Sequence, residues 1–386
     1  MDFLNSVVGS INDFLWTYII IVVLVGCGLW FTISTGLIQL RALPEMVRLL
    51  AGDLGRRPSG RKAISSFQAF CVSTASRVGV GNIAGVAIAI VTGGPGAVFW
   101  MWVIAFIGTA TGFVESTLAQ IYKIPRGHGL FHGGPAYYIQ NALGQPAVAK
   151  LFAVLISVTF GLIYVSVQAN TIALSMEKAF GIDTYLMGGV LAVLAGVVIF
   201  GGIQRVATFS ALLVPIMAGI YLLIALIIIL MHIDQVPAMF ALILHDAFSP
   251  QAAVGGGIGT AILTGIRRGL FSNEAGEGSI PNAAATANVT HPVKQGLVQA
   301  FGVYVDTWIV CSATAFIVLL TGQYTIGGDT TGIALAQDSL ASVFGPWASS
   351  LLAVLIFLFA FSSVVGNYYY GEINIHFITE NTKPAL

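Results

Sequence analysis

The sequence predicts an all-α integral membrane protein, and three observations carry that prediction. Charged residues are only 8% of the chain and hydrophobic ones 57%, whereas a soluble globular domain carries roughly 25% charged residues. Mean hydropathy is +0.90. Apolar stretches recur at the length a bilayer demands, about 20 residues per helical span. No soluble fold of 386 residues can hide that much apolar surface. The formal net charge of +0 argues against nucleic acid or an acidic polymer as partner.

Nine apolar spans are expected, at about 14–40, 65–92, 97–122, 150–176, 185–203, 206–231, 253–285, 295–321 and 346–378. Segments 236–248 and 330–344 have helical character without the length of a span. No Lys or Arg precedes the first span, and a cleavable signal peptide wants a positive n-region, so this span is expected to stay in the mature protein. Cys27, Cys71 and Cys311 lie in apolar segments without paired or metal-ligand spacing and read as small packing residues.

The loop at 41–62 carries Arg41, Arg48, Arg56, Arg57, Arg61 and Lys62, which places it on the cytoplasmic side and the N-terminus outside. Alternation then puts Lys123, Arg126, Lys150, Arg205, Lys294 and Lys383 on that side. The opposite loops hold Asp183, Asp234, Asp246, Asp329 and Asp338, with Lys178 as their basic residue. One consistent charge bias across nine spans supports the count.

The second and seventh spans differ from the rest. Both are long, Gly-rich and polar near mid-depth, and they share a pattern: Arg77, four residues, Asn82, one residue, Ala84-Gly85, against Arg268, Asn273 and Ala275-Gly276. Corresponding Gly-interrupted segments in oppositely oriented halves point to an inverted-repeat transporter and its binding site; chance remains the alternative for four matched positions.

Broken helix is tolerated in lipid only where protein or a polar cavity lines it. Its free carbonyls can ligate a cation, and its N–H groups suit a carboxylate, so a zwitterionic amino acid is matched at both ends. Gly79, Gly81 and Gly269 admit the backbone and leave room for a ligand, and Asn82 adds an amide oxygen and a donor. The plainer alternative, close helix packing, is the preferred reading for Gly255, Gly256, Gly257 and Gly259.

Arg77, Arg267, Arg268, Glu115, Glu274, Glu277, Asp306 and Glu372 fall within or near spans, where each needs a partner or water. Close spacing suggests that Arg267 and Arg268 pair with Glu274 and Glu277; a proton relay through Glu115 or Glu274 is the sharper reading. In the fourth span Tyr164 and Gln168 share one face, with Asn170 nearby, which suits either a pocket wall or interhelical hydrogen bonding. In the last span Ser362, Ser363 and Asn367 share a face, and hydroxyls suit either a hard cation such as Na⁺ or back-bonding to the helix. His128 and His132 have the spacing of a metal pair but no third ligand nearby, so no transition metal is expected. No nucleophile elbow, phosphate loop or metalloprotease motif appears, so neither an enzyme nor an enzymatic cofactor is expected.

The block Gly93-Gly94-Pro95-Gly96-Ala97-Val98-Phe99-Trp100-Met101-Trp102 resembles the signature of the alanine/glycine:cation symporter family, as do residues 75–87 and 272–279. The likeness covers essentially the whole chain. It implies a leucine-transporter-like fold: an extra helix at 14–40, a first five-helix repeat at about 65–231 and a partial second repeat at about 253–386, in one transport domain. It implies segments 76–82 and 266–273 unwound, Na⁺ coupling, and alanine or glycine as substrate; the lack of a targeting segment fits a plasma membrane. By the same analogy, substrate is expected at Thr74, Ser76, Gly79, Gly81, Asn82, Gln168, Gly269, Phe271, Ser272 and Asn367. Na⁺ is expected at Ala75, Val78, Asn82, Ala360, Ser362 and Ser363. A complete second repeat calls for two more helices after Leu386, so the last two core helices are expected to be absent from this chain. The rivals to a sodium symporter are a proton-coupled carrier, a channel, whose continuous polar lining is not evident, and a non-transporting sensor.

Overall fold

The computed structural model describes residues 2–53, 63–126, 128–249 and 259–380. Expectations that fall on Arg56, Arg57, Arg61, Lys62, Gly255, Gly256, Gly257 and Lys383 lie outside the described residues. The protein is almost entirely helical. Among the described residues, six helices are long and apolar enough to cross a membrane: α1 (Asn5–Ser34), α5 (Gly96–Ile121), α6 (Pro146–Phe180), α8 (Gly202–Met231), α11 (Pro292–Thr321) and α13 (Trp347–Glu380). A bent pair, α3 (Ser66–Arg77) and α4 (Gly81–Gly93), angled by 53° at the break, makes a seventh when its two halves are counted as one span.

The other two expected spans are shorter than predicted. The fifth is α7 (Thr184–Ile199), of 16 residues, and the seventh is α10 (Thr260–Asn273), of 14. The shorter helices α2 (Leu43–Asp53), α9 (Val236–Ala247) and α12 (Gly332–Phe344) complete the principal helices.

Local chemistry sets the boundaries. A capping box starts α3: Ser65 Oγ accepts from Gln68 N at 3.1 Å, and Gln68 Oε1 accepts from Ser65 N at 3.0 Å. Asp53, closing α2, accepts from Phe67 N at 2.9 Å and ties α2 to that start. Asp246 at the end of α9 accepts from Gly96 N at 2.7 Å and anchors the start of α5.

These ties sort the ends of the bundle. Ile64 pairs with Ala287, whose carbonyl accepts from Lys123 Nζ at 2.6 Å, so the basic loops meet at one end. At the other, Asp246 holds α5 and Lys178 pairs with Asp338 at 3.0 Å.

Helix α5 is the central strut, with α10 and α11 both packed against it. Small residues set that approach. On α10, a Cβ at Gly265 would meet the Ala97 carbonyl and Trp100, and one at Gly269 would meet Ile104 and Met101. On α11, Gly296 lies against Phe113 and Thr117. In a membrane such close backbone contact replaces hydrophobic driving force. On the far side α6 packs along α13, with Gly161 and Gly371 in apposition. α1 lies at the periphery with most of its surface exposed, Cys27 included. That cysteine therefore faces outward instead of packing.

Candidate functional site

The interruption between α3 and α4 covers Val78–Val80, and Val78 (φ −79°, ψ 85°) turns the chain out of helix. Neither Gly79 nor Gly81 has positive φ. Glycine is required there for space: a Cβ at Gly79 would meet Ser363 Oγ and Gln168 Oε1, and one at Gly81 would sit 3.3 Å from the Phe271 ring.

Fully buried Asn82 ties the break together. Its Oδ1 accepts from Gly79 N at 2.9 Å, and its Nδ2 donates to Asp306 Oδ1 at 2.6 Å and reaches Ser272 Oγ at 3.1 Å. Ser272 Oγ donates to Asp306 Oδ2 at 2.8 Å, as does Thr307 Oγ1. Cys311 Sγ touches Ser272 Oγ at 3.1 Å and Asn82 Nδ2 at 3.3 Å, so it belongs to a polar cluster and is not merely a packing residue. The Asn82 carbonyl accepts from Thr314 Oγ1 at 2.7 Å. One carboxylate thus fixes the orientation of the groups lining two interrupted segments. Asp306 stands in the sequence as a lone acid inside an apolar span, which is a functional signal in itself.

A second cluster lies across the break. Ser363 Oγ is 2.8 Å and Ser362 Oγ 3.4 Å from the Ala75 carbonyl, with Val78 and Ala360 buried. Two hydroxyls and a broken helix end are a hard-oxygen donor set of the kind a small cation takes. Both hydroxyls also bond the Phe359 carbonyl, at 2.7 Å from Ser362 and 3.2 Å from Ser363, so back-bonding coexists with the cross-helix contact. Gln168 Oε1 accepts from Val80 N at 3.2 Å. Tyr164 and Phe271 meet edge to face at 5.4 Å, closing the space beside Gly81. Asn170 is exposed on the other side of α6. Buried Thr74 Oγ1 has no hydrogen-bond partner.

Three stretches of widened π-type helical turn converge here: Gly81–Gly85 with Asn82, Thr159–Tyr164 with Tyr164, and Tyr304–Cys311 with Asp306 and Cys311. Such turns disturb regular pairing and are frequent at functional sites.

The second interruption falls later than expected. α10 is continuous through 266–273, and the break occupies Glu274–Ser279. Positive φ at Glu274 (54°), Gly276 (90°) and Gly278 (78°) ends the helix there. Gly269 is mid-helix, and a Cβ there would meet Met101 and Ile104. The shared Arg…Asn…Ala-Gly pattern therefore occupies different positions: Asn82 follows its break and Asn273 precedes its own.

The expected pairing among Arg267, Arg268, Glu274 and Glu277 does not form. Arg267 reaches Asp13 of α1 at 3.4 Å, because α10 ends at Asn273 and the backbone reversal carries both glutamates away. Glu274 instead lies 2.8 Å from Ser76 Oγ and accepts from Ser279 Oγ at 2.5 Å; Ser76 Oγ is also 2.6 Å from Asn367 Oδ1. Buried Arg77 has no carboxylate within ion-pair distance among the described residues; it donates to Ser73 Oγ at 3.0 Å and Gln299 Oε1 at 3.2 Å. The absence of a Cβ at Gly302 makes room for its guanidinium. Glu115 accepts from Gly276 N at 3.4 Å, and Glu372 faces His376 at 3.9 Å.

Comparison with known proteins places this architecture. The profile of the sodium:alanine symporter family matches residues 1–386. The chain is 54% identical over 377 residues to the amino-acid carrier protein AlsT of Bacillus subtilis (98% of this chain, 79% of the relative). It is 50% identical over 380 residues to that organism's probable sodium/glutamine symporter GlnT (98% and 79%). It is 38% identical over 379 residues to the sodium/alanine symporter AgcS of Methanococcus maripaludis (96% and 83%). A multi-pass helical bundle with polar clusters at its helix breaks, matched over its whole length by this profile, belongs to the sodium:alanine symporter family, whose members are transporters and not enzymes.

Proposed function

We propose that the protein takes up small neutral amino acids, alanine and glycine, together with Na⁺ by alternating access. The observation that carries this reading is the joining of two interrupted helices through Asn82, Ser272 and Asp306 beside the Ala75–Ser363 oxygen cluster. The α-amino and carboxylate groups of the substrate meet the exposed backbone of the break at Ser76–Asn82. Na⁺ sits with the carbonyls of Ala75, Val78 and Ala360 and the hydroxyls of Ser362 and Ser363, with the Asn82 amide nearby. Asp306 orients the amide and hydroxyl groups around both.

Small substrates are favoured because Phe271 and Tyr164 close the space beside Gly81. That selection is steric, since an apolar pocket discriminates by only about 1–3 kcal/mol per methylene. Gly269, in this arrangement, supports α10 without touching substrate. In a leucine-transporter-like repeat organisation, the bundle containing α3, α4 and α10 rocks against α6 and α13. The protein sits in the plasma membrane with its N-terminus outside and its basic loops cytoplasmic.

The test is uptake of labelled alanine by the full-length protein in proteoliposomes under imposed Na⁺, K⁺ or H⁺ gradients. Accumulation that requires Na⁺, reduced at least about tenfold in Asn82→Ala, is expected. Equal accumulation under all three gradients, or an Asn82→Ala protein as active as the parent, contradicts the proposal. Labelled glutamine in the same vesicles distinguishes the small-substrate reading from an amide substrate.

A further inference from the structure

Glu274 has a hydrogen-bond chain of its own, apart from the Asn82–Asp306 network. It is 3% exposed and begins the interruption after α10. One Ser76 hydroxyl lies 2.8 Å from Glu274 Oε1 and 2.6 Å from Asn367 Oδ1. A hydroxyl carries a single proton, so Ser76 donates to one of these oxygens and not to both.

Two arrangements satisfy the Ser76 hydroxyl. With Glu274 ionised, Ser76 donates to the carboxylate and accepts from the Asn367 amide, turned to present its N–H₂. With Glu274 protonated, the acid donates to Ser76, which donates on to the Asn367 carbonyl oxygen. The whole chain reverses direction when one proton is gained or lost. Tyr370, fully buried, faces this chain beside Ser76 and Glu274.

We propose that Glu274 is a proton-binding site built into the joint between α3, the α10 break and α13, loading a proton in one limb of the transport cycle and releasing it in the other. This rests on the symport reading above. The charged and titratable groups facing Glu274 are Arg77 on α3, Glu115 on α5, Tyr164 on α6, Asp306 on α11, Tyr370 on α13 and Glu277 on its own segment. One guanidinium cannot balance four carboxylates in a water-poor interior, so protons or cations make up the difference. Glu274 is the acid among them that bonds Ser76 on α3 and, through that hydroxyl, is linked to Asn367 on α13.

The experiment places a pH-sensitive dye inside proteoliposomes and follows alanine and H⁺ movement together under a Na⁺ gradient. The parent protein moves H⁺ as alanine moves, and its uptake depends on pH. In Glu274→Gln the H⁺ moved per alanine falls at least about tenfold and the pH dependence flattens. Undiminished H⁺ movement in Glu274→Gln, or none in the parent while alanine enters, overturns the proposal. Ser279→Ala is the second variant. It removes a donor to the ionised carboxylate, favours the protonated form, and moves the midpoint of the pH dependence up by roughly one unit; an unmoved midpoint overturns the proposal. If no alanine enters under any gradient, the symport reading falls, and infrared difference spectra of the solubilised protein decide on the proton. A carboxylic-acid carbonyl band that comes and goes with pH in the parent and is missing from Glu274→Gln supports the site, and identical bands in the two proteins overturn it.

Discussion

At the scale of single residues, the site depends on what is missing as much as on what is present. Gly79 leaves a gap that Ser363 Oγ and Gln168 Oε1 fill, and these are the groups that face the broken helix end. A methyl group there displaces both, because the contact is with side chains fixed on α13 and α6. Gly79→Ala is accordingly expected to raise the Na⁺ concentration for half-maximal uptake by about tenfold or more, read from a Na⁺ titration of alanine uptake. An unchanged half-saturation would remove Gly79 and Ser363 from the cation site. The cluster around Asn82 was legible because Gly, Asn and Ser are expensive at mid-membrane and stood together in one segment. Its counter-charge was not: Asp306 is 224 positions from Asn82, and no local spacing joins them.

At the scale of elements, glycines of similar appearance have three different causes. Gly79 and Gly81 admit neighbours, Gly276 and Gly278 hold positive φ, and Gly265 and Gly269 let α10 approach α5. Sequence alone does not separate these cases, which is why the second interruption was expected at 266–273 and lies at Glu274–Ser279. The partners of the buried charges were hidden for a related reason. Arg267 finds Asp13 on a helix 254 positions away, and the helix end at Asn273 takes Glu274 out of its reach. Gly269 gives a clean test of the packing role. Gly269→Ala drives a methyl into Ile104 and Met101, and overpacking of this kind costs roughly 1–3 kcal/mol. A lower thermal unfolding midpoint in detergent is expected, with Na⁺ half-saturation unchanged. Unchanged stability with lost Na⁺ dependence would return Gly269 to the binding site.

At the scale of the whole molecule, composition was enough for the class. Alternating spans gather Lys123 near Ala287 at one end and Asp246, Lys178 and Asp338 at the other. Two of the expected spans are short because α7 and α10 have 16 and 14 helical residues, and hydropathy averages across a break as readily as through a helix. The joint formed by α3, α4, α10, α11 and α13 brings a candidate cation cluster and a candidate substrate cluster into contact through Asn82 and Gly79. If both ligands hold the same joint, each must raise the other's affinity by the same factor.

The most direct test of that claim is the alanine dissociation constant of the purified protein, measured across a Na⁺ series in the parent and in Ser363→Ala. The account predicts that Na⁺ tightens alanine binding by at least about fivefold and that Ser363→Ala abolishes this tightening while alanine still binds. Alanine affinity that is the same with and without Na⁺ would contradict joint occupancy of the break.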